Sequence, residues 1–269
     1  MSVRTLINGT PTDQVPIVNR GLQYGDGLFE TIAVRAGRPL LWARHAERLL
    51  HGAHRLGLDA PDMARLADEV HTLSATAERA VVKLLLVRRG HERGYRPATG
   101  EADRIVSLLP WPSRSLPAAG VDLVWCRTRL ARQPRLAGLK HLNRLEQVLA
   151  QQELGGCREG LMQDTEDWVI AGTMANVFLV EHDALVTPRL EQAGVAGVMR
   201  AEVLATAQTL DIPARVEDVT RDRVLAADAV FLTNAVIGVW PVRSLPERRY
   251  EAPGALTRAL QAALAEAGG

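Results

Sequence analysis

Lysine is almost absent from this chain. Of its 32 basic residues only Lys83 and Lys140 are lysine, and every other one is arginine. Arginine keeps its proton at any useful pH and cannot form a Schiff base, whereas a desolvated lysine can lose its proton and do both. The two exceptions are therefore the first places to look for amine chemistry, against the plain alternative of a solvated surface charge. Cysteine is as scarce. Cys126 and Cys157 make neither a disulfide framework nor a metal cluster, and they fit free thiols in a reducing compartment. No metal site is expected. No apolar run approaches the ~20 residues that span a bilayer. The N-terminus reaches the turn signal Asn8-Gly9 too soon for a secretory leader. These features point to a cytoplasmic protein with no membrane partner. Excess charge is missing too: the net charge is +1, without the basic surplus that a nucleic-acid partner usually leaves.

What is present is ordinary for a globular protein. The 269 residues are 47% hydrophobic and 23% charged, enough for one large or two ordinary domains. Asn8-Gly9 after an apolar run predicts a hairpin. Strands are expected at 28–34, 40–42, 81–88 and 104–109, with amphipathic helices at 44–56 and 62–75. Three prolines in residues 110–117 cannot continue a helix or a central strand. They suggest a linker at 111–120 between an N-terminal domain, 1–110, and a C-terminal domain, 121–269. In the second half strands are expected at 121–126, 159–163, 168–170, 176–180, 184–187, near Val216 and at 229–235. Helices are expected at 142–154, from about Gly194 to Leu210, and at 253–267. Clustered rather than alternating elements favour an α+β fold.

Three stretches carry possible chemistry. Lys140 lies in Gly138-Leu139-Lys140-His141-Leu142-Asn143-Arg144-Leu145-Glu146-Gln147. Gly194-Val195-Ala196-Gly197-Val198-Met199-Arg200 is a glycine-bearing loop opening onto a helix, whose free amides suit an anion, although alone it reads better as a plain helix start. Residues 88–97 form a basic loop.

Taken together these stretches resemble the fold-type IV pyridoxal-phosphate enzymes, the group of branched-chain and D-amino-acid aminotransferases and 4-amino-4-deoxychorismate lyase. Tyr24-Gly25-Asp26-Gly27-Leu28-Phe29-Glu30-Thr31 is similar to the N-terminal signature of that group. His45-Ala46-Glu47-Arg48-Leu49 resembles its phosphate-binding arginine motif. The similarity covers nearly the whole chain, and the Lys140 stretch is most similar to the lyase branch. The resemblance implies two α+β domains with the cofactor between them, a homodimer, and Lys140 as the Schiff-base lysine. It implies pyridoxal 5'-phosphate held by Arg48, Lys140, the helix start at Val198 and Met199, and the strand end Thr233-Asn234. The implied reaction is elimination of pyruvate from aminodeoxychorismate to leave 4-aminobenzoate for folate synthesis. Its dicarboxylate substrate would be met by Arg93, Tyr95 and Arg96, a loop that reads equally well as merely solvated.

One position departs from the pattern. The group's Glu-Gly-Thr/Ser-x-x-Asn segment appears here as Ala171-Gly172-Thr173-Met174-Ala175-Asn176, so the carboxylate that would keep the pyridine nitrogen protonated is replaced by Ala171. Three readings stay open. Aromatisation drives a lyase that tolerates the loss, another group serves, or the chain is a weakened or non-catalytic relative. An aminotransferase of branched-chain or D-amino acids is the alternative activity.

Overall fold

The computed structural model describes residues 4–90, 93–112 and 119–267. Residues 113–118 of the expected linker, and His91 and Glu92 of the basic loop, lie outside the described residues. The chain forms two compact units, one made of the chain before residue 114 together with Leu139–Asn143, the other of residues 114–138 and Arg144–Gly269.

In the first unit β1 (Arg4–Ile7) and β2 (Thr10–Pro11) are joined through Asn8 and Gly9, both at positive φ, with Ile7 paired to Thr10. A helix that periodicity does not reveal follows, α1 (Arg20–Tyr24), capped by Asn19, whose side chain accepts from the Leu22 amide, and ended by Gly25 at φ 65°. At five residues it is too short to show a repeat. Next come β3 (Gly27–Arg35), β4 (Arg38–Pro39), α2 (Trp42–Leu56), α3 (Met63–Ser74), β5 (Arg79–Arg88) and β6 (Ala102–Pro110). Asp62 caps α3 by accepting from the Ala64 and Arg65 amides.

The strand expected at 40–42 is not formed. Leu41 turns into the left-handed region at φ 54° and α2 begins at Trp42, because a three-residue apolar run cannot distinguish a strand from a helix start. The sheet order is β2-β1-β6-β5-β3-β4, with every pairing antiparallel. One face of it packs Leu28, Ile32, Val82, Leu84 and Leu86 against Leu49, Ala53, Leu66 and Val70 of the helices. Each such side chain contributes about 1.5–3 kcal/mol on burial.

The second unit contains β7 (Val121–Trp125), α4 (Leu145–Gln152), β8 (Glu159–Gln163), β9 (Val169–Gly172), β10 (Asn176–Glu181), β11 (Ala184–Pro188), α5 (Val198–Thr209), β12 (Ala214–Glu217), α6 (Arg221–Ala226), β13 (Ala229–Asn234), β14 (Gly238–Leu245), β15 (Arg248–Arg249) and α7 (Ala255–Ala267). The strands run in the order β12-β11-β10-β13-β14-β7-β8-β9, with β15 beside β14. Three elements were not expected: α6, β14 and the two-residue β15. α6 is a six-residue helix capped by Thr220. β14 contains Pro241, which argues against a central strand, yet its pairing with β7 begins only at Val242. The helix expected from residue 142 starts at Leu145, and the five residues before Arg144 are taken up by the first unit.

Candidate active site

The structure explains why Lys140 lies outside a helix. Leu28 of β3 bridges His141 in antiparallel fashion. The Phe29 amide donates to the Lys140 carbonyl at 2.9 Å, and the Leu142 amide to the Gly27 carbonyl at 3.0 Å. Leu139–Asn143 is thus stitched to the edge of β3. Asn143 completes the stitching by donating its side-chain amide to the Gly25 carbonyl at 3.0 Å. A methyl group on Gly25 would meet the Asn143 Oδ1 at 2.6 Å, so that position needs glycine for both its positive φ and this close approach.

Register places the side chains. Phe29 pairs with Leu85 and Thr31 with Lys83, so Phe29, Thr31, Lys83 and Leu85 share one sheet face. Lys140, opposite Phe29, joins that face with its Nζ 4.3 Å from the Phe29 ring centre. The Lys83 Nζ is 3.5 Å from the same centre. Both lysines of the chain therefore meet at one aromatic ring, and both are half-buried.

The opposite face of β3 carries Glu30, which is 2% exposed. His45 and Arg48, three residues apart on α2 and so on one helix face, both point at it. The Glu30 carboxylate accepts from His45 Nδ1 at 2.7 Å and from Arg48 Nε at 2.8 Å, with Arg48 Nη2 as a further donor. Burial raises the Glu30 pKa, but the Arg48 and His45 hydrogen bonds overcome it and hold it at about 2. His45 is driven down chiefly by burial, with the charges of Arg48 and Lys140 acting in the same direction. His45 is therefore neutral at pH 7, with the hydrogen on Nδ1, and its buried Nε2 has no hydrogen-bond partner. The sequence reading assigned the Arg48 fork to a phosphate. In the structure the Nε–Nη2 edge of that fork is on Glu30. Neither Glu30 nor His45 was singled out as a site residue, although both stand inside the quoted motifs.

The second unit carries a separate polar cluster. α5 begins after Gly197 with no side chain capping it, which leaves its first amides, those of Val198 and Met199 among them, without intrahelical acceptors. Asn176 on β10 donates to the Val195 carbonyl at 2.9 Å, and a methyl on Gly197 would meet the Asn176 Oδ1 at 2.0 Å. Asn176 in turn is the Cα partner of Thr233 on β13. Thr233 is 1% exposed, and its hydroxyl is a buried polar atom with no partner. A helix start and an unsatisfied hydroxyl, linked through one asparagine, make a suitable cradle for an anion. Asn234 is used differently: its Oδ1 accepts from the Val236 and Ile237 amides and its Nδ2 donates to the Met174 carbonyl, so its side chain holds its own turn.

Around Ala171 the surroundings are apolar. It packs with Cys126, Leu130, Ala150, Met162 and Ile170, and burial pushes the Cys126 thiol up to about 12, leaving it neutral. The nearby carboxylate of Glu159 accepts from the Gly160, Thr173 and Met174 amides and from the Thr173 hydroxyl. Alternation along β8 and β9, with Leu161 opposite Gly172 and Met162 opposite Ala171, puts Glu159 on the face away from Ala171.

The basic loop is tied down by its backbone. Arg20, 2% exposed, donates to the Gly94 and Tyr95 carbonyls at 3.1 Å each, and the Tyr24 and Tyr95 rings meet edge-on at 5.5 Å. The side chains of Arg93, Tyr95 and Arg96 remain exposed.

Comparison with known proteins decides the family. The amino-transferase class IV model matches residues 27–245. The chain belongs to the amino-transferase class IV family. It is 38% identical to an aminodeoxychorismate lyase of Vibrio harveyi over 263 residues, 95% of this chain and 97% of that one. It is 27% identical to a D-alanine aminotransferase of Bacillus licheniformis, over 97% of this chain and 96% of that one. The crystal structure of 4-amino-4-deoxychorismate lyase from Pseudomonas aeruginosa superposes with a TM-score of 0.93 at 45% identity, covering 97% of this chain and 98% of that one. Class IV membership spans both units, so the Lys140 segment and the α5 start belong to one family-wide region of sequence.

Proposed function

We propose that this chain is an aminodeoxychorismate lyase, converting 4-amino-4-deoxychorismate to 4-aminobenzoate and pyruvate with pyridoxal 5'-phosphate, as a step of folate synthesis in the cytoplasm. Lys140 carries the reading: one of two lysines in the chain, half-buried over Phe29 and fixed by three hydrogen-bonding residues of β3 and its flank. The substrate follows from the relatives named as lyases, at 38% and 45% identity over nearly the full chain.

The residues present fit the cofactor. The amides of Val198 and Met199, with the Thr233 hydroxyl, offer donors to a phosphate. Arg48, oriented by Glu30, offers a guanidinium, and Lys140 offers the amine. When bound, pyridoxal phosphate would supply the electron sink for negative charge at the carbon next to the substrate nitrogen. Lys140 would take the proton from that carbon as the carbon–oxygen bond to the enolpyruvyl group breaks; the aromatic ring keeps no hydrogen there, and the proton passes to the departing enolpyruvate, which becomes pyruvate. We assign the substrate carboxylates to Arg93 and Arg96, with Tyr95, on the exposed loop whose backbone Arg20 holds.

Ala171 weakens the electron sink, because the side chain carries no acid and the described residues clustered with it are apolar. Ring aromatisation provides a driving force to the lyase that a transaminase lacks, which favours elimination over amino transfer. The test is the product. Incubation with aminodeoxychorismate and no keto-acid acceptor should yield pyruvate and 4-aminobenzoate in equal amounts. A product formed only when a keto acid is added would make the chain an aminotransferase.

A homodimer completes the proposal. Leu145, Val148 and Leu149 of α4 are 76%, 50% and 52% exposed and line one helix face, an apolar stripe that a second copy would cover. Light scattering should give twice the 29.3 kDa chain mass.

A further inference from the structure

The chain has two lysines, and both ammonium groups approach the same ring, Lys83 at 3.5 Å and Lys140 at 4.3 Å from the Phe29 centre. Their nitrogens can be no farther apart than the sum of those distances, about 8 Å, which is within one Debye length at physiological salt. Two like charges so placed disfavour each other's protonation. We propose that Lys83 is a positioning residue that acts on Lys140 as a fixed neighbouring positive charge, favouring the neutral amine there.

The charged cluster on the other face of β3 does not offset the coupling. On the other face of β3, Glu30 is shared by Arg48 and His45, and with His45 neutral that cluster sums to no net charge. Lys83 itself is anchored on β5, paired across to Thr31 on one side and Ser107 on the other, so its charge is held by a central strand rather than a loop. The Phe29 ring attracts both cations and so brings the two ammonium groups to one site.

The neutral form matters because only an amine with a free lone pair adds to an aldehyde. The lone pair forms the carbon–nitrogen bond, and the carbonyl oxygen leaves as water. This consequence rests on the reading of Lys140 as the cofactor-carrying residue; the coupling between the two lysines does not.

The scarcity of lysine makes the test clean. Lys83→Met and Lys83→Arg each leave Lys140 as the only lysine, so reductive methylation with ¹³C-formaldehyde of the full chain, freed of cofactor, gives one lysine resonance besides the N-terminus. At a separation of about 8 Å or less, the Lys140 midpoint in Lys83→Met should lie at least roughly 0.5 pH units above that in Lys83→Arg, which keeps the charge. Matching thermal melts show that both variants fold. In the holoenzyme the pH midpoint of the cofactor absorption band should move in the same direction between the two variants. Equal Lys140 midpoints in the resonance experiment overturn the proposal. A separated pair of midpoints in protein that never takes up cofactor keeps the coupling and removes the lyase reading instead.

Discussion

Glu30→Gln takes the negative charge out of the buried Glu30–His45–Arg48 cluster while keeping the side-chain volume. Glu30 moves from an ordinary 4.5 to about 2 in the folded chain, and that gap corresponds to ~3 kcal/mol favouring its ionised form in the native state. The group is 2% exposed, so solvent screening removes little of this. The direction follows from a depressed carboxylate pKa: the contribution is fully present above pH 4.5 and is lost as the pH falls toward 2. In the variant Arg48 loses its ion pair, and one of the two acceptor oxygens becomes an NH2 that faces a donor of Arg48 or His45, losses that fall in the range measured for broken buried pairs, about 3–5 kcal/mol. Urea unfolding at pH 7 should therefore show Glu30→Gln at least ~3 kcal/mol less stable than the parent, with the same denaturant slope. The difference should shrink to less than half, about 1.4 kcal/mol from this linkage, by pH 3. Equal stabilities at pH 7, or a gap that does not change with pH, would refute the cluster as an ionic one.

Two further outcomes follow from the second unit. Thr233→Val removes only the unpartnered buried hydroxyl, so the apo chain should be as stable as the parent or slightly more so. Its affinity for pyridoxal phosphate, read by fluorescence titration, should fall roughly tenfold, the loss of one hydrogen bond to a charged group. Ala171→Glu restores a carboxylate to a surface that is otherwise apolar. Turnover with aminodeoxychorismate should rise, and unchanged or lower turnover would mean that the ring nitrogen needs no acid here.

Much of this was legible in the chain itself because local signals and tertiary needs agree. Asn8-Gly9 turns where its φ preferences demand, Asp62 caps α3, and alternating apolar runs became β3, β5 and β6. Lys140 stood out by residue type alone. What stayed hidden depends on partners distant in sequence. Leu142-Asn143-Arg144 continues the apolar spacing of the following helix, but the open edge of β3 and the Gly25 carbonyl hold Leu142 and Asn143 outside it. The pairing of Glu30 with His45 and Arg48 is invisible until α2 is laid on β3, since nothing in the spacing between residues 30 and 45 encodes that contact. Pro241 masked β14, and five- and six-residue helices such as α1 and α6 give periodicity too little length to register.

The most direct measurement is borohydride reduction of the holoenzyme followed by peptide mass analysis. With only two lysines as candidates, the reduced pyridoxyl group should be found on the peptide carrying Lys140 and absent from the one carrying Lys83. A label on Lys83, or no reducible cofactor band at all, would contradict the assignment of the site.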